Sequence, residues 1–289
     1  MAMVDMIVSG YISVDRIIRI GAPAKVGVTS LVQNHDNGKA YFGGNASNIA
    51  ACAAKLGCSA MPIGRVGSDF RPMGFYDFLA SAGADLSQVT TIANEVTCVG
   101  YLIEDAEKNH LTLAYPGAMH EKYAVRRWPD PLFTQAKLGV LTVGTYPDTV
   151  QFLEKVRKTG LPLVFSMRAD FSCFPKPILW EVLMESAIIF TNEVERQIVE
   201  ELYGIDSITH FMKEGKASIV VTTLGKAGSV VYWKEQGAIK SETVPVTPSG
   251  EVVDATGAGD SYIAGFLYGY LKGADPVTCA AYGDRKSVV

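Results

Sequence analysis

The chain has 289 residues, 48% hydrophobic and 19% charged, with a formal net charge of −4. Such a composition suits a globular chain with room for one large core, and mild acidity without a basic stripe argues against a nucleic-acid partner. No run of about 18 apolar residues occurs, so no membrane span or membrane partner is expected. The opening MAMVDMIVSG lacks the basic region and long apolar core of a secretion signal. Cys52, Cys58, Cys98, Cys173 and Cys279 are odd in number and form no C-x-x-C, which predicts reduced thiols in a cytoplasmic protein. The histidines (His35, His110, His120, His210) are scattered, against a metal cluster.

In chain order, residues 4–10 predict a buried strand. GYISVD follows, placing Asp15 in a loop beyond that strand's carboxyl end, where open α/β sheets bind ligands. Residues 17–42 then alternate in β fashion without a helix. Residues 45–56 predict a helix, with Gly57 as its C′ glycine. Residues 97–115 alternate again; these two stretches form either a small extra sheet, a lid or an oligomer contact. Residues 138–144, 161–166, 187–191 and 218–225 read as buried strands, separated by amphipathic helices over 149–159, 178–186 and 193–203. This rhythm is that of a layered α/β fold with a mostly parallel sheet. No linker or repeat divides it, so residues 1–289 are expected to be one domain carrying the two β-rich segments. Beyond Asp260, apolar Ile263, Phe266, Leu267, Tyr270 and Leu271 predict a helix with one buried face, ending at Lys272-Gly273. A further helix is expected over 276–282. The closing DRKSVV is polar and matches the peptide encoded by a common sequencing adapter, so the native frame is expected to be cut near Gly283; the alternative is an ordinary tail.

Two turns carry candidate chemistry. In FGGNASN, Gly43 and Gly44 precede a helix whose first turn holds Asn45, Ser47 and Asn48. Glycines admit a ligand to the backbone and asparagines offer donors and acceptors to hydroxyl groups, so with Asp15 they suit a polyhydroxylated molecule. An N-capping asparagine on a tightly packed alanine helix is the other reading. In DATGAGD, the N–H groups of Gly257, Ala258 and Gly259 open a helix and can point at one anion, with Asp260 beside them. An ionised aspartate there can take a proton from a hydroxyl brought beside a terminal phosphate, which is what phosphoryl transfer needs. A turn capped by its own acid is the alternative. GAGDSY is not G-x-G-x-x-G, because Tyr262 stands at the third glycine, and no G-x-x-x-x-G-K-[ST], H-R-D or D-F-G occurs.

GGNASN before an Ala-rich helix, TNEVE (191–195), TTLGKAG (222–228) and DATGAGD, in that order, resemble the signatures of the ribokinase (PfkB) carbohydrate kinases over nearly the whole chain. The resemblance implies a ribokinase-like, Rossmann-like three-layer sandwich with a small β-sheet lid. It implies ATP-dependent phosphorylation of a hydroxymethyl group on a sugar, with a nucleoside kinase and a non-catalytic ligand-binding relative as alternatives. By resemblance, Asp260 is the catalytic base and Gly257, Ala258 and Gly259 are the anion hole. Asp15, Gly43, Gly44, Asn45 and Asn48 hold the substrate. Asn192, Thr223, Gly225 and Gly228 serve the nucleotide, and Asn192 with Glu195 organises Mg²⁺. Asp254 and Thr256 are placed at a monovalent-cation (K⁺) site, and the lid is a homodimer contact. For Glu195 a solvated acid at a helix start, and for Thr223-Leu224-Gly225 a strand-ending turn, stay open as alternatives. The family has Thr in many members where Ala255 stands, and continues a few tens of residues beyond Gly283.

Overall fold

The computed structural model describes residues 3–107, 109–124, 127–167, 171–247 and 256–286. The first part of the chain runs β1 (Val4–Ser9), β2 (Ser13–Arg19), β3 (Tyr41–Gly43), α1 (Asn45–Lys55), β4 (Ala60–Gly67), α2 (Phe75–Ser81), β5 (Val89–Ile92), β6 (Cys98–Glu104) and β7 (His110–Tyr115). Next come α3 (Asp130–Thr134), β8 (Ala136–Leu141), α4 (Tyr146–Thr159), β9 (Leu163–Ser166), α5 (Lys176–Glu185), β10 (Ser186–Asn192), α6 (Glu193–Tyr203) and α7 (His210–Lys213). The chain then continues through β11 (Ile219–Thr223), β12 (Ser229–Glu235), β13 (Ala238–Val244), α8 (Ala258–Leu271) and α9 (Pro276–Lys286).

Nine strands form the large sheet in the order β13-β12-β11-β10-β9-β8-β1-β4-β5. It is parallel except where β12 and β13 fold back as antiparallel partners. Side chains of a strand alternate faces, and the core divides accordingly. Met6 and Val8 of β1 join the cluster under α1 and α8, whereas Ile7 joins the one under α4 and α5. Helices on both faces of a mostly parallel sheet give the three-layer, ribokinase-like arrangement expected. A separate four-stranded sheet, β3-β2-β6-β7, is tied to the core by Phe42 stacking on Phe75 at 4.5 Å between ring centroids. No helix among the described residues is long and apolar enough to cross a membrane.

Four local expectations change. Asp15 lies inside β2, in register with Tyr41 and Gly100, not in a loop, because the chain enters the small sheet at Ser13 directly after β1. Within 17–42 only the ends pair into the sheet; the middle is irregular, held by Asn34, which accepts from Arg19 N and donates to Ile17 O. α8 is buried nearly all round, not on one face. It packs between neighbours because Gly265 and Gly283 bring it against α9: a Cβ on Gly265 would lie 2.6 Å from Tyr282 O and one on Gly283 2.8 Å from Tyr262 O. Finally, the helix expected over 276–282 runs on to Lys286, and Asp284 accepts the Thr247 N–H at 2.6 Å.

Candidate active site

Chain order reverses at β1: β4 and β5 extend the sheet on one side of it, while β8, β9, β10 and β11 follow on the other. Ligands of open α/β sheets bind outside the carboxyl ends of the strands at such a point. The residues beyond β1 and β8 meet there, Tyr11 donating its N–H to Val143 O at 2.9 Å.

Next to this crossover is the turn into α1. Gly44 is its N-cap with φ 91, a left-handed value that favours glycine. Any Cβ there would also collide with Tyr11 O and come within 2.7 Å of Ser13 N. Gly44 makes no side-chain cap, so the reading of an asparagine cap on α1 does not hold. The amides of the first turn are used elsewhere. Asn45 Nδ2 donates to Asp260 Oδ1 at 2.7 Å, and Asn48 Nδ2 donates to Asp260 Oδ2 at 2.8 Å. Residues three apart on a helix share a face, which is why both amides reach one carboxylate. Ser47 Oγ instead donates back to Gly43 O and Gly44 O, fixing the turn.

Asp15 reaches the same turn from the small sheet. A Cβ on Gly43 would sit 2.9 Å from Asp15 Oδ2, and one on Gly100 2.6 Å from Oδ1, so the half-buried carboxylate occupies room that two glycines leave. Burial, with the Asp15 charge second, pushes the neighbouring Cys98 thiol up to about 12. That thiol stays protonated and inert at neutral pH.

Asp260 is 7% exposed and lies in the first turn of α8. Gly257 caps that helix with φ 76, and Gly259 faces open space. The first N–H groups of a helix have no acceptor within it, so this end offers donors and a positive dipole to an anion beside a buried carboxylate. Thr256 is exposed at the turn's start; Asp254 falls outside the described residues.

A second group gathers at the carboxyl ends of β10 and β11, where Asn192 and Thr223 are in register. Asn192 and Glu195 form a reciprocal capping box on α6: Glu195 N donates to Asn192 Oδ1 at 2.8 Å and Asn192 N to Glu195 Oε2 at 2.9 Å. Glu195 is only 8% exposed, so it is not the solvated acid that its position in a first turn allows. Thr223 Oγ1 approaches Thr191 O at 3.5 Å, Gly225 is exposed, and Gly228 presses against Val244 O. This group connects to α8 two residues past Asp260, through Ser229 Oγ and Tyr262 OH at 2.8 Å. Burial raises the Tyr262 hydroxyl's pKa, so it remains a neutral hydrogen-bonding group.

One component was not legible in the sequence. A cavity of about 260 Å³ opens at the crossover, lined by Tyr11, Met119, His120, Thr145, Tyr146 and Cys173 among others. Its sequence signal is Thr145-Tyr146-Pro147-Asp148, set off by three residues from a buried strand, a helix start with an aromatic at its mouth.

The chain matches the pfkB family carbohydrate kinase domain over residues 11–287. It is 28% identical over 278 residues to a nucleoside kinase of Methanothermobacter thermautotrophicus, covering 96% of this chain and 86% of that protein. A ribokinase of Haemophilus influenzae is 26% identical, with 92% of this chain and 85% of that protein covered. In structure, the nucleoside kinase of Methanocaldococcus jannaschii, described as an archaeal member of the ribokinase family, superposes with a TM-score of 0.86 at 25% identity, covering 99% of this chain and 91% of that one. The order of the signatures, the sheet topology and the turns around Asp260 agree with these likenesses: the chain belongs to the pfkB family of carbohydrate kinases.

Proposed function

We propose that the chain transfers the terminal phosphoryl group of ATP to a hydroxymethyl group of a nucleoside or sugar. The observation that carries this is Asp260: a buried carboxylate, oriented by two amides, at a glycine-rich helix start. In this reading Asp260 takes the proton of the attacking hydroxyl as its oxygen bonds to phosphorus. The bond from that phosphorus to the bridging oxygen breaks, and ADP leaves. The N–H groups of Gly257, Ala258 and Gly259 face the transferred phosphate, and Asp15, Gly43, Gly44 and Asn48 hold the acceptor's hydroxyls. Thr223, Gly225 and Gly228, with Asn192, border the nucleotide.

Among the described residues no group of three or more His, Cys, Asp or Glu gathers. One buried carboxylate with a neighbouring amide fits Mg²⁺, an ion held largely by phosphate and water. Asn192 and Glu195 would hold it through its waters, and when bound it would neutralise charge on the phosphates. A monovalent cation beside Thr256 belongs to the same proposal.

A nucleoside is favoured as acceptor. The cavity at the crossover presents two tyrosines and a methionine with a few polar groups, walls suited to a flat base next to the hydroxyl-binding turn. The small sheet covers the acceptor as a lid, excluding water. The exposed Val26, Val28 and Leu31 of its β2–β3 connection, with Leu113 of β7, support a homodimer contact, and the free cysteines accord with a cytoplasmic setting.

Asp15→Ala tests the acceptor site. Losing hydrogen bonds to a charged group should weaken acceptor binding by about 10- to 100-fold, while ATP binding stays within about twofold. Titration calorimetry with each ligand separately measures both; equal losses would mean that Asp15 supports the fold and not the acceptor.

A further inference from the structure

The amide of Asn45 has no task in its own helix. Gly44 provides the N-cap without it, and asparagine is a poor helix former, so the first position of α1 has no local reason to carry one. Its Nδ2 reaches across instead to Oδ1 of Asp260, 215 residues away in sequence, at 2.7 Å. Asn48 takes the other oxygen, and its amide also lies against the phosphate-side turn, 3.5 Å from a Cβ built on Gly257. Asn48 therefore stands where acceptor and phosphate meet, while Asn45 holds the carboxylate from its far oxygen.

We infer that Asn45 is a positioning residue: it fixes the plane of the Asp260 carboxylate so that Oδ2 faces the incoming hydroxyl. This rests on the reading of Asp260 as the base. A carboxylate has two oxygens and turns about one bond. A donor on Oδ1 restricts that turn and so sets the direction of Oδ2, beside the Asn48 N–H, toward the proton being transferred. Asn45 makes no bond to the acceptor in this account, so its loss slows turnover without loosening acceptor binding. Asn48 differs: its loss affects both.

The test is steady-state kinetics on the full chain with ATP, Mg²⁺ and its best nucleoside or sugar acceptor. Asn45→Ala should lower kcat by about 10- to 100-fold, the cost of a misplaced catalytic group, with acceptor KM within about threefold. Asn45→Asp, nearly the same shape, should be at least as slow, because it sets a second carboxylate against Oδ1; it also serves if the alanine variant folds poorly. In an Asp260→Asn background, Asn45→Ala should add little further loss, since it acts through Asp260. A rise in acceptor KM with kcat unchanged would overturn the inference, as would fully additive losses in the double variant. The outcomes also separate the two claims. Full turnover in Asp260→Asn alone defeats the reading of the base; a collapse there with full turnover in Asn45→Ala defeats only the role of Asn45.

Discussion

Asp260→Asn should lower kcat by roughly 10²-fold or more, the scale on which a general base contributes, and leave acceptor affinity within a factor of about three. The substitution keeps size and shape but removes the charge that accepts the proton. It also leaves one oxygen where two now receive N–H groups, so either Asn45 or Asn48 would face another N–H. The cost to stability of that mismatch is about 1–3 kcal/mol, small beside the catalytic effect. Single-turnover measurement of phosphorylated acceptor separates slow chemistry from slow product release. An acceptor bound tightly by both forms but phosphorylated by neither would describe a ligand-binding relative without catalysis.

The second large effect is on stability. Arg65 of β4 and Asp148 of α4 form a bidentate pair, Nη1 to Oδ1 at 2.9 Å and Nη2 to Oδ2 at 2.7 Å, with both side chains under one-tenth exposed. Arg65 Nε also donates to Ala118 O, and the Thr145 hydroxyl donates to Asp148 Oδ2. Each nitrogen of the fork thereby has an acceptor, tying a central strand to the start of α4 and the wall of the cavity. Asp148→Ala would leave a guanidinium buried without its counter-charge, and should cost about 3–5 kcal/mol. Urea unfolding followed by tryptophan fluorescence measures it. A loss below about 1 kcal/mol would mean that water or another acceptor reaches Arg65 and that the pair is not sealed.

The same pair shows where sequence reading stops. Long apolar β-runs such as those of β1, β8 and β10 announce themselves, and so do helices with clean periodicity. β4 does not: MPIGRVG contains a proline, glycines and an arginine, residues that argue against a buried strand. It is a strand nonetheless, paired between β1 and β5, and Asp148, distant in sequence, neutralises the arginine it buries. The α8 helix misleads in the opposite direction. Its apolar spacing suggests one buried face, yet Gly265 and Gly269 admit α9 on another, a packing relation that periodicity cannot show. At the site, local patterns name most of the parts: the turn before α1, the turn before α8, Asp15 and the Asn192–Glu195 element. What they leave open is which groups touch. That Asn45 and Asn48 grip Asp260, and are not caps of α1, follows only from α1 and α8 lying side by side. The cavity beyond β8 is hidden for the same reason, being assembled from four separate segments.

The most direct test of phosphoryl transfer at this site is a reaction of the wild-type chain with ATP, Mg²⁺ and a panel of nucleosides and free sugars, read by mass spectrometry of the acceptor and by ADP release. The account predicts one phosphate per acceptor, on its hydroxymethyl oxygen, with ADP formed in equal amount and nucleosides preferred. ADP formed without a phosphorylated acceptor, or a phosphate found on a ring hydroxyl, would contradict it.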